Sequence, residues 1–133
     1  MQIKKHVLCA ERLRRVPAQF SWVDQRLVRQ RFVDQCDHAA LALYLVLVTV
    51  ADAEGLSYYS DASLERMLHL SAAGLNDARA QLCRLGLIAH EKPLYQVLSL
   101  DAPPLGALST HRAGQVLSVK DVLHRLLEKG SQP

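Results

Sequence analysis

Apolar side chains are densest over residues 39–51, where AALALYLVLVTVA contains a single threonine. Leu41, Tyr44, Leu45 and Val48 recur at helical spacing, and Asp37 can cap a helix whose first turn begins at His38. The run is apolar on nearly every side, which predicts a central helix covered by several neighbours. It is too short to span a bilayer and is flanked by Asp37 and Asp52. Gly55 suits the left-handed position beyond its end.

The pattern then changes twice. LSYY (56–59) is a strand candidate in which one of Tyr58 and Tyr59 packs inward and the other hydrogen-bonds near the next helix start. Ser60 caps that helix, Asp61 favours its dipole, and Leu64, Met67 and Leu68 form its stripe. After a turn at Leu70 and Ser71, Leu75, Ala78, Leu82 and Leu85 fall on one side of a further helix, which Gly86 ends. LIAHEK (87–92) and LYQVLSL (94–100), separated at Pro93, predict a hairpin.

The flanks are of a different kind. Pro103, Pro104 and Gly106 break regular structure, so residues 101–117 read as a linker. Residues 118–130 predict a last helix: Ser118 and Asp121 resemble a capping box, and Val119, Val122, Leu123, Leu126 and Leu127 make one stripe before Gly130. That stripe either packs back on its own domain or forms a homodimer contact. Residues 1–36 form an N-terminal arm and lead-in. Ser21 and Asp24 can begin a helix there, while QFSWVDQRLV can equally be a strand with Phe20, Trp22 and Val28 facing inward. The expected fold class is mainly α with a small β-hairpin (α+β), its folded unit spanning 37–100.

Composition narrows the class. At 133 residues, half of them hydrophobic and 22% charged, the chain has the size and make-up of one globular domain. Cys9, Cys36 and Cys83 lie far apart, which points to reduced thiols rather than a disulfide framework. In MQIKKH the lysines are followed only by Val7 to Ala10 before Glu11, too little for a secretory core, and a cytoplasmic location without a membrane partner is expected.

Charge is unevenly spread. Residues 1–31 carry Lys4, Lys5, Arg12, Arg14, Arg15, Arg26, Arg29 and Arg31 against Glu11 and Asp24, a net +6, within a chain whose total is +3. Over residues 37–100, Arg66, Arg79, Arg84 and Lys92 face seven acids. Attraction to nucleic acid is therefore expected to be strongest at the N-terminal end.

Helix, short strand, helix, tight turn, helix and hairpin follow the order of a winged helix-turn-helix. LSAAGLNDARAQLCRLGLI (70–88) is similar to the second helix of that motif, and GLSYYSDASLERMLHL (55–70) to the segment before it. QFSWVDQRLV followed by DHAALALYLVLVTVAD resembles the lead-in of winged-helix modules in bacterial regulators and in plasmid and phage replication initiators. The resemblance covers roughly residues 19–100 and implies a winged-helix fold, with a basic N-terminal arm and an extra C-terminal helix added to it. It implies that helix 72–85 lies in the major groove of double-stranded DNA and that the hairpin around residues 91–93 touches the minor groove or backbone.

The implied contacts are Ser60, Ser63, Ser71, Ala73, Asn76, Asp77 and Arg84 in the helix-turn-helix and Lys92 in the wing, with Arg12, Arg14, Arg15, Arg26, Arg29 and Arg31 holding phosphates. Asn76 can pair with adenine, Asp77 can accept from cytosine, and alanines can touch thymine methyls. Since phosphate neutralisation supplies most affinity, the acidic 37–100 segment leaves two readings. In one, the chain is a transcriptional regulator or an accessory factor of a replicating or transposing mobile element, gripping DNA with its arm. In the other, it is a non-enzymatic adaptor docking on a larger nucleoprotein complex. Catalysis is not expected. The six histidines are scattered, Cys36-Asp37-His38 is better explained by a capping aspartate, and no cofactor or metal is called for.

Overall fold

The computed structural model describes residues 3–101. After an exposed segment with one 3-10 turn (Ala10–Arg12), the chain forms a short helix α1 (Arg26–Arg29), a 3-10 turn (Val33–Gln35) and the long helix α2 (His38–Val50). Strand β1 (Leu56–Tyr58), helices α3 (Asp61–Leu68) and α4 (Ala72–Arg84), and strands β2 (Ile88–Glu91) and β3 (Leu94–Val97) follow. The fold is α+β: helices on a small antiparallel sheet of order β1-β3-β2.

Local chemistry sets the helix starts. Asp37 accepts from the Ala40 amide at 2.9 Å, Ser60 from the Ser63 amide at 3.1 Å and Ser71 from the Gly74 amide at 3.0 Å, each satisfying an N–H that a first turn leaves unpaired. His69 adopts the left-handed conformation (φ 55°) at the end of α3, and Gly86 does so (φ 72°) after α4. Gly55 also has positive φ (85°), but for a reason other than ending α2, which stops at Val50. It closes a turn, donating to the Asp52 carbonyl at 3.0 Å, and its carbonyl accepts from the Val97 amide at 2.8 Å. A Cβ there would stand 2.6 Å from the Val97 carbonyl oxygen. The glycine thus joins β1 to β3.

The core is built on α2. Its Ala40, Leu43, Tyr44, Leu47 and Val48 meet Leu64 of α3, Leu75, Ala78 and Leu82 of α4, and Leu87, Ile88 and Tyr95 of the hairpin region. Strand β3 pairs on both sides, Tyr95 opposite Ser57 of β1 and His90 of β2, and Tyr95 and Ile88 are the fully buried strand residues that seat the sheet on the helices.

The N-terminal lead-in differs from both halves of the sequence expectation. Residues 26–29 are helical, and the inward residue is Leu27, whereas Phe20, Trp22 and Val28 are exposed. Ser21 does not start a helix: its hydroxyl donates to the Thr49 carbonyl at 2.7 Å. Asp24 does brace the helix start, accepting from the Arg26 amide at 2.9 Å. Leu27, Phe32, Val33 and Cys36 pack on the core, so the packed unit begins before residue 37. The expected linker beyond Asp101, the helix over 118–130 and its homodimer contact lie outside the described residues.

Candidate nucleic-acid interface

Helix α4 stands on the core through Leu75, Ala78 and Leu82. Its other side carries Ala73, Asn76, Asp77, Ala80, Cys83 and Arg84, all exposed. Gly74 lies close to the turn from α3 to α4. A Cβ at Gly74 would meet the Ser71 hydroxyl at 3.3 Å and the Leu70 side chain at 3.6 Å.

Arg79 ties this helix to its surroundings. Its guanidinium donates to Asp61 Oδ1 at 2.9 Å, to the Tyr95 hydroxyl at 2.7 Å and to Asn76 Oδ1. The Arg79 side chain is 12% exposed, so the Asp61 pair is largely shielded from water. Burial works against the Arg79 charge, but the bonds to Asp61 and Tyr95 outweigh it and raise its pKa. The same bond lowers the Asp61 pKa. The cluster unites the first turn of α3, the middle of α4 and strand β3.

Two consequences follow for the expected contacts. Asn76 Oδ1 already accepts from Arg79, which leaves its amide N–H groups as the wholly unengaged functionality on the outer face. Asp77 accepts from Gln81 Nε2 at 3.0 Å, and Gln81 also donates to Asp37 at 2.8 Å, linking α4 to the N-terminus of α2. Arg84 is the exposed cation of α4, with no ion pair among the described residues.

The β2–β3 turn packs beside α3. The Pro93 carbonyl accepts from the Tyr59 amide at 3.1 Å, and Lys92 Nζ lies 3.8 Å from Asp61 Oδ2. Lys92 is exposed and carries a weak tie to that carboxylate. His90 stacks on Tyr95 with ring centroids 4.4 Å apart, and its Nε2 is buried without a protein partner. Burial, helped by the nearby Arg79 charge, lowers the His90 pKa and favours the neutral ring.

No protein family, curated protein or solved structure matches the chain. The chemistry of the site therefore rests on its own residues.

The arm arginines divide into two groups. Arg12, Arg14 and Arg15 are exposed, and none is joined to α4 by a hydrogen bond or ion pair among the described residues. Arg29 is likewise exposed, and Arg31 (φ 64°) reaches Asp34 at 3.5 Å on the surface. Arg26 is committed elsewhere: its guanidinium grips Asp24 at 2.7 Å and Asp101 at 2.6 Å, which holds its pKa well above the usual value. The arm leaves the body near Thr49, whereas Gln81 of α4 meets Asp37 at the other end of α2, about 18 Å away at the helical rise.

Three further observations bear on chemistry. Among the described residues no group of histidine, cysteine and acidic side chains is placed to hold a metal ion. Burial raises the Cys36 thiol pKa, and Asp37 beside it serves as the helix cap. No helix among the described residues is long and apolar enough to cross a membrane. Sequence reading missed Arg79, Tyr95 and Gln81 as members of the site. Arg79 had one local signal, its place three residues after Asn76 at the margin of the apolar stripe.

Proposed function

We propose that the protein is a DNA-binding protein of winged helix-turn-helix architecture. In this reading, α3 and α4 form the helix-turn-helix, α4 is the recognition helix, and the β2–β3 hairpin is the wing. The observation that carries the reading is the outer face of α4. A capped helix, seated on the core by one side and braced by Arg79, leaves Ala73, Asn76, Ala80 and Arg84 exposed. Helical insertion into a major groove needs such a rigid, uncovered face.

The chemistry divides between body and arm. Asn76, its oxygen engaged by Arg79, offers N–H donors that suit purine N7 acceptors, and the alanines suit thymine methyls. Phosphate affinity comes from Arg12, Arg14 and Arg15, with Arg29 and Arg31 at the arm's root, because Arg79 and Arg26 are engaged by carboxylates. With Arg14 and Arg15 exposed on an extended segment, the arm can track a backbone while α4 selects sequence. The resemblance to regulator and initiator modules makes a regulator or an accessory factor of a mobile element the matching role.

A second reading, an adaptor docking on a nucleoprotein complex, is favoured by the body's acidic balance and by the exposed Phe20 and Trp22. Selection of duplexes from a random pool separates the two. The proposal expects the full chain to enrich a defined sequence, and Asn76→Ala to bind with similar affinity but weaker preference at one position, a loss of about 1–3 kcal/mol of discrimination. No enrichment by the unaltered protein would favour the adaptor.

A further inference from the structure

Residues 20–23 run beside the C-terminal end of α2, fastened where the Ser21 hydroxyl donates to the Thr49 carbonyl. On either side of that fastening Phe20 is 65% and Trp22 74% exposed, and Val23 is half exposed. One turn earlier on α2, Leu45 is 62% exposed, and its carbonyl accepts from the Thr49 hydroxyl at 2.6 Å. Leu45 and Thr49 thus share one helix face. Two aromatic and two aliphatic side chains lie uncovered around one short stretch of backbone. Covering such side chains removes apolar surface from water, so the face is a strong site for apolar contact.

The described chain ends beside this face. Asp101, its last residue, is held by Arg26 at 2.6 Å, only four positions along the chain from Trp22. Thirty-two residues follow, and their one sustained apolar stripe is Val119, Val122, Leu123, Leu126 and Leu127. A 16-residue connector, the length of 102–117, has a random-chain span of about 20–25 Å, enough to return to Trp22. A tether of that length presents the stripe at about millimolar effective concentration, which a second copy would have to exceed to compete.

We propose that the apolar stripe of residues 119–127 seats on the Phe20, Trp22, Val23 and Leu45 face of its own chain. The contact covers the exposed side chains of residues 20–23 next to the arm that carries Arg12, Arg14 and Arg15. It does not depend on whether the arm meets DNA.

Trp22 is the chain's single tryptophan and reports on the contact without a label. Acrylamide quenching of the full chain tests it, alongside sedimentation over a range of concentrations. The expected result is a monomer in which Trp22 is quenched several-fold less than a free indole, whatever the concentration. In the full chain carrying Leu123→Asp and Leu126→Asp, quenching rises toward the free value and emission shifts to the red. Leu45→Ser, at an exposed position that leaves the core intact, produces the same release from the other side. Free quenching in the unaltered protein overturns the proposal, as does protection that survives both variants. Protection that disappears on dilution together with a dimer also overturns it, because the cover would then be a second copy.

Discussion

Arg79 joins three elements with one guanidinium, and its removal is the most informative single change in the body. Arg79→Ala leaves Asp61 and the Tyr95 hydroxyl without their donor and should cost about 2 kcal/mol of stability, read as a lower midpoint in chemical unfolding. An unchanged midpoint would mean that the cluster contributes nothing net. His90 predicts a pH dependence. Its folded-state pKa lies below the ordinary 6.5, so the unfolded chain takes up the proton first as pH falls. The stabilisation is complete above about pH 6.5 and is lost progressively below it. Asp61, lowered from 3.8, adds a second loss only as pH falls below that value. His90→Phe keeps a ring on Tyr95 and should flatten the decline in unfolding midpoint between pH 7 and pH 5; an unaltered decline would assign it to other groups. None of this cluster was legible as a cluster in the sequence. Asp61 and Tyr95 lie 18 and 16 residues from Arg79, and only the fold brings them within hydrogen-bond reach.

At the scale of elements the sequence was far more readable, because helix starts and ends are local chemistry. Asp37 and Ser60 each cap the helix their position announces, Gly86 ends α4, and Ser71, read from the sequence as a turn residue, caps α4 as well. Ser71→Ala should cost about 1 kcal/mol, measured by denaturant unfolding, through the amide of Gly74 that it leaves unpaired. Gly55 was legible as a left-handed position, but its role depends on Val97, 42 residues later in β3. Gly55→Ala meets both a positive φ and a carbonyl oxygen 2.6 Å away. It should cost about 2 kcal/mol or more and increase amide exchange at Val97 first, since that bond crosses from Gly55 to β3. A neutral substitution would contradict the close approach. The lead-in was misread for an equally physical reason. QFSWVDQRLV shows which residues are apolar, not whether anything covers them, and among its residues only Leu27 reached the core.

At the scale of the whole molecule, positive charge is concentrated at the N-terminal end of the sequence, and among the described residues most of the exposed large apolar side chains lie there too. The net +6 of residues 1–31 was visible in the sequence, but which arginines remain available was not. Arg26 closes the body by holding Asp24 and Asp101, and Arg79 is spent inside it, so the body has little with which to hold phosphate. The α+β outline and the outward residues of α4 followed from periodicity, whereas the engagement of Arg26 and Arg79 by carboxylates required the fold. The proposed function rests on this division of labour between a selecting helix and a gripping arm. Its most direct test is the affinity of the full chain for duplex DNA over a series of salt concentrations, compared with the variant Arg12→Ala, Arg14→Ala, Arg15→Ala. The account predicts salt-sensitive binding by the unaltered protein, and a slope of log affinity against log salt reduced by about 2–3 in the variant, close to 0.9 for each phosphate that is no longer neutralised. Equal affinity and equal slope for the two proteins, or no binding by either at low salt, would contradict it.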